Sequence, residues 1–211
     1  MPDSDITAPS HPLTAIWRPG LCLINLRGVG DDANFVAGVA QALGLALPRA
    51  LCSTQADGAD IQRPHRLGLG LGLDAAAGAV ERIVWVGPDE WFVIATAGQA
   101  GGIEQALRAA LAGHRHAVTD VSSGYCVLQL SGRPVREVLA QGCPLDLHPR
   151  VFGVGRSAGS HFFKTSLWLW QTNEAPRFEL LVRRSFIGYV QLMLHRGTRE
   201  CGLSMNALPT L

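Results

Sequence analysis

The run from Gly142 to Phe152, GCPLDLHPRVF, holds a thiol, a carboxylate and an imidazole at Cys143, Asp146 and His148. Side chains of these types can make a nucleophile with its base, or a pair of metal ligands. The spacing matches no standard zinc pattern. Cys143 follows a helix-like stretch directly, and a helix C-terminus disfavours a thiolate. Pro144 and Pro149 stiffen the segment. The competing reading is a packed turn, in which Asp146 takes nearby backbone amides and His148 packs within the turn. That reading is preferred here.

Four other groupings have the right residue types for binding or chemistry. Gly87-Pro88-Asp89-Glu90-Trp91 could set a carboxylate in a pocket; as a turn, Asp89 or Glu90 would take backbone amides and Trp91 would start the next strand. Arg27-Gly28-Val29-Gly30-Asp31-Asp32 has the outline of a glycine-rich phosphate loop. Its third glycine is replaced by Ala33, and two aspartates stand where a phosphate would dock, so it reads as a turn and helix cap. His114-Arg115-His116 is a short basic cluster that reads as solvated. Arg183-Arg184 opens the last helix, where the helix dipole disfavours positive charge. That pair calls for a carboxylate from another chain or from the other half of this one. Trp168 and Trp170 share one side of a strand and are either core or, if exposed, a partner-binding face.

The elements that position these residues follow from periodicity. Leu21–Leu26 reads as a strand and the spacing of Phe35, Val36, Val39, Ala40 and Leu43 as a helix closed by Gly44. Ser53–Pro64 reads as a loop and Arg66–Leu73 as a flat strand. Arg82–Val86 and Trp91–Thr96 form a hairpin, followed by a helix at Gly101–Leu111. The order then repeats. Tyr125–Leu130 is a strand and Pro134–Gln141 a helix carrying Val135, Val138 and Leu139 on one face. Phe162–Gln171 is a long strand and Phe178–Val182 its partner. Ser185 caps a last helix carrying Phe186, Tyr189, Val190, Met193 and Leu194.

Aligned, Cys22-Leu-Ile-Asn-Leu-Arg-Gly matches Cys126-Val-Leu-Gln-Leu-Ser-Gly, Gly44 matches Gly142, and Phe92 matches Phe178. The expectation is α+β: a duplicated strand–helix–hairpin–helix unit, with helices on two mostly antiparallel sheets about a pseudo-twofold axis. The halves fall at 16–117 and 118–197. Residues 1–15 and 198–211 read as tails.

The chain has 211 residues, 47% hydrophobic and 17% charged, with a formal net charge of +1. That charge offers no electrostatic reason for a nucleic acid or anionic membrane partner. The charged fraction is below the usual ~25%. A subunit largely covered by other chains would look so, and so would an Ala/Gly-rich composition. Five scattered cysteines, an odd count, give no disulfide framework. There is no secretory signal or apolar span, so a cytoplasmic location is expected. On residues alone, no acid, base, metal or cofactor motif converges on one site.

Four segments together resemble the gamma subunit of heterotetrameric sarcosine oxidase. They are Gly87-Pro88-Asp89-Glu90-Trp91; Asp120-Val-Ser-Ser; Gly142-Cys-Pro-Leu-Asp-Leu-His-Pro149 with Phe152 and Gly155-Arg156; and Val182-Arg183-Arg184-Ser185-Phe186 with Tyr189. Order and spacing agree from about Leu21 to Leu194. One departure is Ser160-His161, where the family carries a threonine opening the strand.

The resemblance implies a subunit with no cofactor of its own, folded like the folate-binding glycine-cleavage T-protein. It implies alpha, beta and delta partner chains that hold FAD, FMN, NAD and zinc and use tetrahydrofolate. It implies the oxidation of sarcosine to glycine and hydrogen peroxide, the methyl carbon leaving on tetrahydrofolate or as formaldehyde. Asp89, Glu90, Trp91, Asp120, Asp146, His148, Trp168, Trp170, Arg183 and Arg184 are then family-motif or interface candidates. Two alternatives stand beside it: the equivalent subunit of an N-methylglutamate dehydrogenase, and a lone folate-binding aminomethyltransferase-like protein.

Overall fold

The computed structural model describes residues 12–56 and 79–207. In chain order its elements are β1 (Leu13–Arg18), β2 (Leu21–Gly28), α1 (Ala33–Leu43), β3 (Ser53–Gln55), β4 (Val80–Gly87), β5 (Glu90–Thr96), α2 (Ala100–Ala110) and β6 (His116–Asp120). There follow β7 (Tyr125–Ser131), α3 (Val135–Ala140), β8 (Ser157–Phe162), β9 (Thr165–Asn173), β10 (Arg177–Arg183), α4 (Ile187–Gly197) and β11 (Leu203–Met205). Two compact units result. One comprises Gly20–Ser123 with Gly155–Ala158; the other comprises the segment ending at Pro19, Gly124–Val154 and the chain from Gly159 onward.

In the first unit, alternation along β2 points Cys22, Ile24 and Leu26 into a core shared with Phe35, Val39 and Leu43 of α1 and Ile103 and Leu107 of α2. Fully burying side chains of this size contributes about 1.5–3 kcal/mol each. The Asp32 carboxylate accepts the Asn34 N–H at 2.8 Å and starts α1. Gly44 ends it in the left-handed region, φ 68°, its N–H returning to the Ala40 carbonyl. The sheet order is β3-β4-β5-β2-β6, antiparallel throughout.

In the second unit the order is β8-β9-β10-β7-β1-β11. The first five positions repeat the first sheet: a two-strand hairpin beside the strand that precedes the short helix, then one antiparallel strand beyond it. The duplication is therefore present in the strand order itself. β11 is an addition, pairing parallel to β1 through Leu13↔Leu203.

Several sequence expectations change at this level. The span Leu13–Arg18 is a strand paired to β7, so the second sheet takes its fifth strand from the start of the chain. Residues 116–120 stay with the first sheet, and Leu203–Met205 is a strand where a tail was expected. Boundaries at 16–117 and 118–197 therefore cut across both sheets. Ser53–Gln55 pairs with β4 where a loop was expected.

Of the long strand expected at Phe162–Gln171, Thr165–Gln171 lies in β9, whereas Phe162 ends β8, and the two strands form a hairpin. Phe163 turns it with φ 53° and lays its ring against Gly142, where a Cβ would sit 2.5 Å from the ring. Ser185 lies in a single 3-10 turn before α4 and does not cap it. The hairpin alignment shifts by one residue. Leu26 faces Trp91 and Leu130 faces Phe178, so the counterpart of Phe178 is Trp91, not Phe92. The expected strand Arg66–Leu73 lies outside the described residues.

Candidate functional site

The segment Gly142–Phe152 is anchored by a residue that the sequence reading passed over. Arg136, on α3, donates to the carbonyls of Leu147 and Phe152 and, at 2.8 Å, to Gln171 Oε1. Its guanidinium also lies 4.9 Å from the centre of the Phe178 ring, and Phe152 stacks on that same ring. The signal was present, because Arg136 borders the apolar face of Val135, Val138 and Leu139.

Around this anchor the three polar residues serve separate partners. Cys143 is buried, its Sγ 3.5 Å from Ser160 Oγ. Asp146 Oδ1 accepts the His148 N–H at 2.9 Å. His148 Nδ1 accepts the Arg150 N–H at 3.2 Å, so its imidazole is exposed on the turn and is not packed inside it. Each of the last two groups holds backbone two residues further on, as short polar side chains do in turns.

The Gly87–Trp91 turn is equally committed. Asp89, in the left-handed region at φ 56°, accepts the Gly30 N–H on Oδ1 and the Gly28 N–H on its carbonyl. Glu90 receives Asn25 Nδ2 and Arg27 Nη2, both at 2.9 Å. Burial opposes ionisation of Glu90, but the hydrogen bonds from Arg27 and Asn25 outweigh it and hold the carboxyl below its ordinary range. Trp91 is buried against Phe35 and donates to the Pro48 carbonyl.

The glycine-rich turn before α1 is a cap. The Asp32 carboxylate also meets His114 Nδ1 at 3.1 Å, so that imidazole is tied to the helix start. Asp120 accepts both the N–H and the hydroxyl of Ser122, whose Oγ in turn accepts the Leu23 N–H.

In the second sheet Trp170 is fully buried and Trp168 half-buried. Trp170 Nε1 donates to Glu179 Oε2 at 2.8 Å, while Glu179 Oε1 pairs with Arg18 at 2.9 Å. This buried ion pair was missed, although a lone carboxylate within Phe178–Val182 marks it. Trp168 meets the edge of Tyr125, and the exposed Arg183 lies 5.3 Å above the Tyr125 ring. Arg184 is half-buried. All five cysteines are free thiols, and burial pushes Cys22 and Cys126 upward, which suits packing and not nucleophilic use. Among the described residues no group of three or more His, Cys, Asp or Glu is arranged to hold a metal. No helix among them is long and apolar enough to cross a membrane.

Comparison with known proteins agrees with these segments. The chain is 39% identical over 165 residues to sarcosine oxidase subunit gamma of Corynebacterium sp. strain P-1, covering 77% of this chain and 68% of that one. It is 42% identical over 106 residues to the Arthrobacter subunit gamma, covering 49% of this chain and 51% of the relative. The match thus spans about half the length of that relative. Among solved structures, a chain of the heterotetrameric sarcosine oxidase from Corynebacterium sp. U-96, in complex with pyrrole 2-carboxylate, superposes with a TM-score of 0.72 at 27% identity, covering 92% of this chain and 88% of that one. The glycine cleavage system aminomethyltransferase T from Bartonella henselae shares the fold, with a TM-score of 0.60 at 14% identity over 94% of this chain and 48% of its own. Residues 53–200 match the sarcosine oxidase, gamma subunit family, and the chain belongs to that family.

Proposed function

We propose that this chain is the non-catalytic, structural gamma subunit of a heterotetrameric, flavin-dependent sarcosine oxidase. It assembles with alpha, beta and delta chains. Those chains carry FAD, FMN, NAD and zinc, and convert sarcosine to glycine and hydrogen peroxide while passing the methyl carbon to tetrahydrofolate or releasing it as formaldehyde. The observation that carries this reading is the family match over residues 53–200. The geometry supports it: Asp89, Glu90, Asp120, Asp146 and His148 are each engaged in holding backbone or strand partners. Polar groups committed in this way shape a surface instead of waiting for a substrate.

The test is co-expression of this chain, carrying an affinity tag, with the three other chains. The expected result is a stoichiometric four-chain assembly that oxidises sarcosine, while the lone chain binds no flavin and oxidises nothing. Sarcosine oxidation by the lone chain, or a fully active three-chain assembly from which this chain is absent, would overturn the proposal. Micromolar tetrahydrofolate binding by the lone chain in calorimetry would instead favour an independent folate protein.

A further inference from the structure

We propose that Arg183, held on the Tyr125 ring, is an anchor for a carboxylate on a partner chain, and that the surface bearing Arg183 and Phe186 faces that chain in the assembly. The inference rests on the subunit reading above.

The geometry is specific. Arg183 ends β10 opposite Tyr125 at the start of β7. Its guanidinium sits 5.3 Å above the Tyr125 ring, and that ring is steadied edge-on by Trp168 at 6.4 Å and 62°. Trp168 is backed in turn by Gly159, where a Cβ would come within 3.1 Å of the indole nitrogen. The ring contact restrains a long, flexible side chain.

Four other arginines are spent on internal partners, and of the exposed arginines without an ion pair only Arg183 is seated on an aromatic ring among the described residues. Arg18 meets Glu179, Arg27 meets Glu90, Arg108 meets Glu104, and Arg136 meets two carbonyls and Gln171. Arg183 is exposed and, among the described residues, ion-pairs with no carboxylate. A guanidinium restrained on a ring is preorganised for a planar, bidentate acceptor. Phe186, three residues on, is 39% exposed and packs edge-on to Tyr189 at 88°, which adds a fixed apolar surface. Arginine beside rigid aromatics is the composition in which interface energy concentrates. Charge complementarity selects the occupant: the platform carries positive charge, so the facing group is an Asp or Glu side chain.

The experiment is the four-chain co-expression with Arg183→Glu and Arg183→Ala. Because Arg183 is exposed, both variants of the lone chain lose only the ring contact with Tyr125 and should melt equally, slightly below the wild type. The expected result is at least ~10-fold weaker retention of this chain by its partners for Arg183→Glu, with Arg183→Ala between it and the wild type. Retention of the wild type should also weaken with salt, since an exposed contact is screened. Wild-type retention of Arg183→Glu would overturn the inference, as would unchanged assembly accompanied by loss of binding to inorganic phosphate, which would make the occupant a small free anion. Failure of the wild-type chain to be retained at all would instead sink the subunit reading.

Discussion

Arg136 covers the Phe178 ring at 4.9 Å while donating to the Leu147 and Phe152 carbonyls, so one guanidinium fastens the middle and the end of the exit turn to the sheet. Burial lowers its affinity for the proton, and Glu174 partly offsets this. Replacement with Met should keep the contact with Phe178 and strand two carbonyls and Gln171. The expected cost is about 2–4 kcal/mol in denaturant unfolding. Lys, with no planar fork, should recover less than half of it. A loss below about 0.5 kcal/mol for Arg136→Met would mean that the turn holds itself.

Glu179 is 2% exposed and joins Arg18 to Trp170 across the second sheet. Glu179→Ala leaves a half-sequestered guanidinium and an indole N–H without their acceptor. Removing one partner of a buried pair costs about 3–5 kcal/mol. A double-mutant cycle with Arg18→Met should show coupling above about 1 kcal/mol, because the second replacement removes the charge that the first left behind. Additive losses would indicate that Arg18 is held by other contacts.

The legibility of these features in the sequence follows the range of the interactions involved. β2, α1 and the β4–β5 hairpin could be read because their signals are local: a short apolar run, the Asp32 cap, and the tight turn at Pro88-Asp89. β1 and β11 could not, since Leu13 pairs with Leu203 and Ala15 with Leu130, both far along the chain. β6 was obscured because only Val118 is buried in it, and its polar neighbours resemble a loop. The β8–β9 turn has no Gly, Pro or Asn to announce it. Of the polar turn, the backbone-holding role of Asp146 was legible, whereas Arg136 and Glu179 were not, because their partners come from other elements.

Glu90 gives the first sheet an acid dependence. Its carboxyl is held below the ordinary value of 4.5 because Arg27 and Asn25 outweigh the effect of burial. A lowered folded-state value means the unfolded chain takes up the proton first as pH falls. The contribution is therefore fully present above about pH 4.5 and is lost as pH drops through the lowered value. Glu90→Gln should flatten that part of the stability–pH curve relative to the wild type. Parallel curves from pH 6 down to ~2.5 would show that the Glu90 contacts contribute nothing to folding.

Cys143 separates chemistry from packing. Its thiol is buried beside Ser160, while Asp146 and His148 are exposed and turned to backbone amides. Cys143→Ser should lower stability by about 1 kcal/mol, the scale of exchanging a small apolar group for a hydroxyl with one nearby partner. Turnover of the four-chain assembly should stay within two-fold of wild type, about 0.4 kcal/mol on the barrier. A large loss of turnover with assembly intact would restore the nucleophile reading.

The two sheets differ at one edge, and that difference is testable. In the second sheet β11 covers β1; in the first, among the described residues, the equivalent strand β6 has no strand outside it. Two side chains of α2 stand there instead. Arg108 donates to the Val118 carbonyl at 2.7 Å and Glu104 accepts the Asp120 N–H at 3.1 Å, the pair bridged to each other at 3.5 Å. They occupy backbone groups that an added strand would need, a common way to blunt an edge. The i,i+4 ion pair itself is exposed enough to contribute only about 0.3–0.5 kcal/mol, so its main effect is to block association. Replacing Glu104 and Arg108 together by Ala should therefore leave the melting temperature of the dilute chain nearly unchanged. It should also produce concentration-dependent dimers in sedimentation velocity, with amide exchange slowed at Val118 and Asp120 as concentration rises. A double variant that stays monomeric at ~100 μM would show that the edge is protected by its twist or its neighbours, and not by this pair.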